Sequence, residues 1–418
     1  MTLIQSRYSA PLPPKCAEGW ALERLTQPSR LYGANGICTG ADGRIWVAQV
    51  SGSQISAIDP DSGQIETISA MGGDIVAPDD LAFDEHGNLY ITEITEGRVS
   101  MRTPQGKTTV LRGDMPVANP ITYHQGRLFA GECRVGGRIM ELDRNGGEPR
   151  VILADVPMPN AFQIGADGAL YAPIMGANEI WRINVETGEK TVVAADLGVP
   201  DSVKFDSQGR IISTQVASGD VLRLDLQSGN REILANLGPG LDNCTLVGER
   251  IFISSINGSV TEILASGGTR SLIGKGLQWP LGIAFGADGS LFICDGIYGY
   301  SLAPDQGPNQ TDASPQMAGM IFWPGCPGYM RGVAAGSVAG EWIVTTGLGA
   351  VARYRPQAAE SDILASGLDR LMDVIVYADG DIIVTEFGTG RLLQIGDGEP
   401  TVLADGLSEP MGLAIGPD

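Results

Sequence analysis

The chain repeats one short pattern about every 41 residues along most of its 418 residues. Each copy contains an apolar stretch, a tight Asp/Gly turn and a second apolar stretch. Four clear copies are 78–93 (PDDLAFDEHGNLYITE), 159–174 (PNAFQIGADGALYAPI), 200–215 (PDSVKFDSQGRIISTQ) and 280–295 (PLGIAFGADGSLFICD). The turn glycines Gly43, Gly87, Gly126, Gly168, Gly209, Gly248, Gly289, Gly340 and Gly380 are separated by 44, 39, 42, 41, 39, 41, 51 and 40 residues. Internal periods of this length are typical of propellers, solenoids and repeat arrays.

Two weaker apolar segments follow each pair, for example 180–184 and 191–195 in the fourth repeat. Turns rich in residues that tolerate positive φ separate them, such as 186–188 (ETG). Four antiparallel strands per repeat, without helical periodicity, predict a β-propeller blade. We therefore predict an all-β fold, a single β-propeller of about nine four-stranded repeats. Six to eight blades remain the alternative, because propellers usually contain four to eight.

The repeats cover 33–418 without a linker, so we expect one propeller domain preceded by an N-terminal extension, 1–32. An insertion of about 296–329 lengthens one repeat. The segment 20–26 resembles a lone fourth strand, and 410–416 (PMGLAIG) resembles a lone first strand. We expect one terminus to complete a blade that the other begins, because an unpaired sheet edge exposes backbone donors and acceptors.

The formal net charge of −21 excludes nucleic acids and anionic membrane surfaces as expected partners. No apolar stretch approaches the length of a membrane span, and the first residues do not resemble a secretory signal. Six cysteines lie far apart without a CxxC pair, so neither a zinc site nor a disulfide framework is indicated. We expect a cytoplasmic protein with a small-molecule substrate; the oligomeric state is not indicated.

The residue just before each first strand recurs around one mouth of a propeller channel. Six consecutive repeats carry an amide or a carboxylate there, and the last three do not. In chain order these residues are Asn35, Asp79, Asn119, Asn160, Asp201, Asp242, Leu281, Arg331 and Met372. Oxygen ligands of this kind suit Ca²⁺ or Mg²⁺. Alternatively, the Asp and Asn residues cap turns by bonding their own backbone.

The pattern P-N/D-x-hydrophobic-A-F-x-x-D/E-G-x-LY resembles the SMP-30/gluconolactonase/LRE-like propellers and, more loosely, NHL repeats. This resemblance implies a divalent metal at the channel mouth, held by a glutamate, two asparagines and an aspartate. Asn119, Asn160 and Asp201 match the last three in order, and Asp201 would be both ligand and general base. Asn35 stands where the family has its glutamate, and the family usually has six blades. Asp79 or Asp242 could supply the missing charge.

A second ring position ends each second strand, and there Glu132 is a candidate acid–base residue. In propellers related to this family, the strictosidine synthase-like group, the acid–base residue is a glutamate. Alternatively, Glu132 forms an ion pair with a nearby arginine such as Arg134. The two histidines, His86 and His124, fall in turns that face away from the mouth. Their position argues against a Ser-His-Asp triad and against chemistry that needs histidines in the channel.

The 296–329 insertion is rich in aromatic residues, and long loops in compact domains are often functional. We expect Tyr298 and Trp323, with Trp279 and Arg331, to contact an organic substrate. Alternatively, the loop packs on the outer surface or in a subunit interface.

The favoured function is a metal-dependent hydrolase of a lactone or ester, with Asp201 activating water. Two alternatives stay open. One is a metal-independent lyase, cyclase or isomerase that uses a channel carboxylate. The other is a non-catalytic, NHL-like binding propeller.

Overall fold

The computed structural model describes residues 30–274 and, with short gaps, 280–302 and 330–415. Regular structure in these residues is antiparallel β-sheet, apart from one 3-10 turn at Met175–Ala177. The strands form nine sheets, eight with four strands and one with three, and each sheet orders its strands as in the chain. The all-β propeller architecture is thereby confirmed. In the described part of the chain, no helix has the length and apolar character to cross a lipid bilayer.

The described residues divide into two compact units, one ending at Gly274 and the other beginning at Pro280. The first unit contains six sheets. Sheets 1 to 3 are β1 (Ile37–Thr39), β2 (Ile45–Gln49), β3 (Gln54–Ile58), β4 (Ile65–Ser69); β5 (Pro78–Phe83), β6 (Leu89–Glu93), β7 (Arg98–Arg102), β8 (Thr108–Arg112); β9 (Ala118–His124), β10 (Arg127–Glu132), β11 (Gly137–Leu142), β12 (Arg150–Val156). Sheets 4 to 6 are β13 (Gln163–Ile164), β14 (Leu170–Ile174), β15 (Glu179–Ile183), β16 (Lys190–Ala194); β17 (Lys204–Phe205), β18 (Ile211–Thr214), β19 (Asp220–Leu224), β20 (Arg231–Asn236); β21 (Leu241–Val247), β22 (Arg250–Ser255), β23 (Val260–Ile263), β24 (Thr269–Ile273).

The turn between the first and second strands explains the repeat's regular glycine. In the second sheet, Asp84 Oδ1 accepts the backbone N–H groups of His86, at 2.9 Å, and Asn88, at 2.8 Å. Gly87 has a φ of 78°, a conformation that a side chain would disfavour. The aspartate therefore holds the turn closed, and the glycine allows the chain to reverse.

The first unit is a closed ring, because its first sheet packs on its sixth. Ile37 of β1 shares an apolar cluster with Phe252 and Val260 of the sixth sheet. Ser254 Oγ of the sixth sheet also donates to the carbonyl oxygen of Asn35, at 2.7 Å. This hydroxyl-to-carbonyl bond also joins neighbouring sheets elsewhere in the ring. The nine predicted repeats form nine sheets, but the first unit closes with six of them, which is within the alternative of six to eight blades.

The second unit contains three sheets in a row. They are β25 (Pro280–Phe285), β26 (Leu291–Asp295), β27 (Tyr298–Leu302); β28 (Met330–Ala335), β29 (Trp342–Thr346), β30 (Val351–Arg355), β31 (Glu360–Ala365); and β32 (Leu371–Val376), β33 (Ile382–Glu386), β34 (Arg391–Ile395), β35 (Thr401–Ala404). After the last sheet, Met411 O accepts a hydrogen bond from Thr385 Oγ1 and Leu413 N donates to Asp373 Oδ2. The terminal segment thus occupies the place of a following first strand, as its sequence suggested. The proposed strand at 20–26 lies outside the described residues.

We predict that Gly36→Ala weakens the ring of the first unit. A Cβ at this position would collide with the carbonyl oxygen of Asp79 and the Cα of Asp80 in the next sheet. Because the obstacle is backbone, we expect the free energy of unfolding to fall by about 1–3 kcal/mol in urea titrations. Gly113→Ala is the control, because open space surrounds that position. Equal effects of the two substitutions would contradict the assigned contact.

Candidate functional site

Six polar residues lie at one end of the closed ring, each immediately before or at the start of an inner strand. They are Asn35, Asp79, Asn119, Asn160, Asp201 and Asp242. Backbone bonds hold them in equivalent places: the N–H groups of Asn160 and Asp201 each donate to a carbonyl of their own second strand, at 3.0 Å. The structure therefore places all six residues that were predicted to bind a cation at equivalent positions of the ring, and cation binding itself remains a prediction. We call them the mouth ring.

Side-chain hydrogen bonds connect the mouth ring between sheets. Asn35 Nδ2 donates to Asp242 Oδ2 at 3.1 Å, which links sheets 1 and 6. Asn160 Nδ2 donates to Asp201 Oδ2 at 2.8 Å, which links sheets 4 and 5. Asn160 Oδ1 also accepts the backbone N–H of Ala161, and Asn35 Oδ1 that of Val50, so each amide combines a local cap with a bond to the neighbouring sheet. Turn capping alone therefore does not account for the mouth ring.

The carboxyl groups of the mouth ring are withdrawn from water and repel each other. Asp79 is 4% exposed and Asp201 is 5% exposed. Burial raises the pKa of both carboxyls well above the usual value, and the negative charge of Asp242 raises each further. Burial also raises the pKa of Asp242 to about 8, although its hydrogen bond from Asn35 acts in the opposite direction. Without a counter-ion, this cluster favours protonated carboxyls near neutral pH.

Asp201 has an oxygen without a hydrogen-bond partner. Its Oδ2 accepts from Asn160, whereas its buried Oδ1 receives no hydrogen bond from any described group. Buried polar atoms are nearly always satisfied, and an exception needs a physical reason. A protonated carboxyl, a water molecule or a bound ligand would each satisfy Oδ1. This atom is the strongest local indication that the mouth ring is a functional site.

A second polar layer lies one residue further along the inner strands. Asp80 Oδ1 accepts from Asn243 Nδ2 at 3.2 Å, which joins sheets 2 and 6 across Gly36 of sheet 1. Asp80 Oδ2 accepts the backbone N–H of Ile121 at 3.1 Å. Burial raises the pKa of Asp80, while the Lys204 ammonium lowers it. Sequence reasoning missed this layer, although the paired aspartates of the PDD segment could have indicated it.

Two sulfur atoms also border the mouth ring and were not anticipated. Asn160 Nδ2 lies 3.1 Å from Met175 Sδ, and Cys133 Sγ lies 4.0 Å from the same sulfur. Burial raises the pKa of the Cys133 thiol well above its usual value, and Asp201 is the next largest cause. In the sequence, this cysteine is marked only by the irregular stretch 131–134 (GECR), in which it follows the candidate Glu132.

Glu132 is held by two arginines. Arg134 Nη2 donates to Glu132 Oε2 at 2.9 Å, and Arg138 Nη2 donates to Oε1. The glutamate side chain is fully buried. At the same strand-end position, Glu93 Oε2 accepts the backbone N–H of Val76 at 2.6 Å. The geometry agrees with the strand-end ion pair that was the alternative to a catalytic role.

The remaining candidates form no described contact with the mouth ring. His86 and His124 belong to turns between first and second strands, at the opposite end of the first unit. Arg331 lies in the second unit, where its Nη1 is 3.0 Å from Met372 Sδ. Tyr298 begins β27, whereas Trp279 and Trp323 lie outside the described residues. Substrate contact by these four remains a prediction.

The donor set determines what kind of cation the mouth ring could hold. Among the described residues, no group of three or more His, Cys, Asp and Glu side chains is arranged to bind a metal ion. A cation at the mouth ring would therefore need the asparagine carbonyl oxygens as ligands. Asn119 and Asn160 are each only 4% exposed, so both amides are shielded from solvent. Asn160 Oδ1 already accepts the backbone N–H of Ala161 at 2.8 Å, so a cation would use its second lone pair. With the free Oδ1 of Asp201, the residues present fit a small divalent cation.

We predict that the metal-free protein loses stability as pH rises from about 4 to 8. An aspartate with a raised folded-state pKa stabilises the fold fully below its unfolded pKa, and this contribution disappears as pH approaches the folded pKa. For Asp242 this window runs from 3.8 to about 8. Asp242→Asn removes the titrating group, so we expect a smaller fall in Tm across this range in EDTA. The exposed Asp196→Asn is the control, and an Asp242→Asn curve parallel to wild type would contradict the assignment.

No family model matches the chain, and no curated protein matches it with significance. Solved structures with a similar arrangement include a streptogramin B lyase, with 20% identity and a TM-score of 0.47, over 63% of this chain and 90% of that chain. Virginiamycin B lyase from Staphylococcus aureus has 19% identity and a TM-score of 0.47, over 63% and 93%. A nidogen/laminin complex has 19% identity and a TM-score of 0.43, over 47% and 78%. None of these similarities carries an argument about this chain's function; the strands and sheets themselves identify the chain as a β-propeller protein.

Proposed function

We propose that the mouth ring binds a divalent cation and that the protein is a hydrolase of a lactone or ester. The observation that carries this proposal is the buried Oδ1 of Asp201, which has no hydrogen-bond partner and lies among mutually repelling carboxyls. A cation would satisfy this atom and compensate the repulsion in one step. The closure of the first unit at six sheets also supports the proposal, because ligands on opposite sides of a six-sheet ring are closer together than those of a nine-sheet ring.

Asn119, Asn160 and Asp201 would hold the cation, in agreement with the sequence resemblance. Asp79 and Asp242 would supply the negative charge that Asn35 cannot supply at the position of the family's glutamate. Ca²⁺ or Mg²⁺ is the expectation from oxygen ligands alone. When bound, the cation would polarise the substrate carbonyl and favour ionisation of a water molecule.

The residues of the chain then have separate tasks. Asp201 accepts the proton of the attacking water, because the positive charge of a bound cation would keep this carboxyl ionised and able to act as a base. Asn160 orients Asp201 through the bond from Nδ2 to Oδ2. Burial of the mouth ring limits competing water and strengthens these electrostatic interactions. The proton on Asp201 passes to the leaving alkoxide oxygen as the carbonyl–oxygen bond breaks.

A metal-independent acid–base enzyme is the second candidate. The raised pKa of Asp242, at about 8, would let this carboxyl donate a proton at neutral pH without a cation. Such a site could serve a lyase, cyclase or isomerase. The two candidates differ in their response to chelation, because only the first requires an ion.

The deciding measurement is the metal content of the purified protein together with thermal unfolding in EDTA and in added Ca²⁺ or Mg²⁺. We expect about one divalent ion per chain and a Tm that falls in EDTA and recovers when the ion returns. An ion-free protein with an unchanged Tm under every condition would favour the second candidate.

Asp201→Asn tests the base directly. We expect hydrolysis of small lactones or aryl esters to fall by about 10²–10⁴-fold, while the protein stays folded. Asp196→Asn removes the same charge from an exposed position five residues away and should retain activity. Unchanged hydrolysis by Asp201→Asn would exclude Asp201 as the base.

Glu132→Gln tests whether the glutamate at the end of β10 has a structural role or an acid–base role. Both carboxylate oxygens of Glu132 are paired with arginines, Arg134 and Arg138. We therefore expect the substitution to lower the stability of the fold and to leave the hydrolysis rate per folded molecule unchanged. The loss of a buried charge between two arginines should lower the free energy of unfolding by about 3–5 kcal/mol in urea titrations. A large fall in kcat with unchanged stability would instead assign Glu132 an acid–base role.

A further inference from the structure

We propose that apolar side chains beside the mouth ring select the substrate, and that they favour a lactone or ester that carries an alkyl or aryl substituent. These residues, each two positions before a member of the mouth ring, are Ala77, Val117, Met158 and Val199. We call them the collar. This inference rests on the proposed hydrolase and specifies its substrate class. It concerns recognition of the apolar part of the substrate and not the chemical step.

The collar residues have a backbone conformation that favours glycine. Their φ values are positive: 45° for Ala77, 56° for Val117, 60° for Met158 and 64° for Val199. The carbonyl oxygen of each collar residue accepts an N–H group just beyond the second strand of its own sheet. In sheet 5, Val216 N donates to Val199 O at 2.8 Å. These bonds hold the backbone in its left-handed conformation at the mouth.

The backbone does not require the side chains of the collar. In sheets 1 and 6 the same position is glycine, Gly33 with a φ of 85° and Gly240 with a φ of 91°. Glycine adopts a positive φ without steric cost, whereas a β-branched residue is strained there. Val117 and Val199 are only partly buried, so packing compensates this strain incompletely. Strained residues cluster at functional sites, because a requirement other than stability maintains them.

The collar coincides with the buried part of the mouth ring. The ring members that follow a collar residue are 4% exposed or, for the last, 5% exposed: Asp79, Asn119, Asn160 and Asp201. The ring members that follow a glycine, Asn35 and Asp242, are partly exposed. The collar therefore shields one side of the ring, and solvent reaches the ring beside sheets 1 and 6. A carbonyl group that reaches Asn160 and Asp201 must have its neighbouring substituent close to the collar.

The chemistry of the collar determines the kind of substituent. Its aliphatic side chains present no strong hydrogen-bonding group, so a hydroxylated or charged substituent would lose water without replacing its hydrogen bonds. An alkyl or aryl substituent gains from burial, in proportion to the apolar area removed from water. In the last sheet the equivalent position is Arg370, with a φ of 53°, and the ring position is Met372. An apolar collar residue there is thus absent together with the polar ring residue.

The test compares hydrolysis of δ-valerolactone and δ-decalactone, which differ by a pentyl chain, by the full-length protein. We expect the wild type to have a kcat/KM at least about tenfold higher for δ-decalactone. Val117→Thr and Val199→Thr keep the branched shape and add a hydroxyl group to the collar. Each substitution should lower the preference for δ-decalactone by about tenfold, mainly through KM.

Val117→Gly and Val199→Gly provide a second measurement. Because glycine removes the backbone strain, we expect both variants to stay folded and to lose the preference for δ-decalactone. Gln125→Gly is the matched control: Gln125 also has a positive φ, 48°, but it lies in the turn after β9, at the opposite end of the first unit. This control should keep the wild-type preference. A wild type without the preference, or valine variants that retain it, would overturn the role of the collar.

The lactam analogues of the two lactones separate recognition from catalysis, because amides resist hydrolysis. A ligand that binds the folded state raises the Tm, so thermal unfolding with each lactam reports binding. Selective binding of the pentyl lactam that depends on Val117 and Val199, in a protein that hydrolyses neither lactone, would support the collar and contradict the hydrolase. Equal hydrolysis of both lactones, unaffected by the valine substitutions, would overturn the collar and leave the hydrolase intact.

Discussion

Hydrogen bonds between neighbouring sheets determine the geometry on which the rest of the protein depends. A hydroxyl near the end of a second strand donates to the carbonyl oxygen that opens the next sheet's inner strand. In the first unit Thr92 donates to Asn119, Thr214 to Asp242 and Ser254 to Asn35; in the second, Thr345 donates to Met372 and Thr385 to Met411. Because the acceptor belongs to a mouth-ring residue in the first unit, the bond that joins two sheets also positions a candidate ligand. Sheet packing and site geometry therefore have a common origin.

The fold holds the carboxyl groups of the mouth ring close together although their negative charges repel each other. Burial raises the pKa values of Asp79, Asp201 and Asp242, and the charge of Asp242 raises those of the other two further. No arginine pairs with these three carboxyls among the described ion pairs. Elsewhere in the structure, buried carboxylates such as Glu132 and Glu262 are each held by two arginines. The contrast indicates that the chain can neutralise a buried carboxylate when only stability is involved. Unneutralised carboxyls at the mouth are better explained by a ligand or by proton transfer.

The sequence was informative where a pattern has a local physical cause. Alternating apolar residues predicted the strands, and the Asp-x-x-Gly turns predicted their spacing, because a turn such as Asp84–Gly87 closes through its own side chain. Laying the repeats in register also predicted that Asn160 and Asp201 would lie at one end. Burial of Cys133 beside Met175 was not predictable in this way. It depends on a register shift in β10 and on a contact between residues 42 positions apart.

The repeat period and the uneven distribution of polar residues follow from the sequence alone: six repeats carry Asp or Asn at the mouth position, and three do not. The tertiary structure alone decided that these same six repeats close on each other, through Ile37 against the sixth sheet and Ser254 to Asn35. The number of sheets in a ring depends on the angle at which each sheet packs on the next, which long-range contacts set and local patterns do not encode. Closure brings the three aspartates of the mouth ring close enough to repel each other, and it leaves Oδ1 of Asp201 buried without a hydrogen-bond partner.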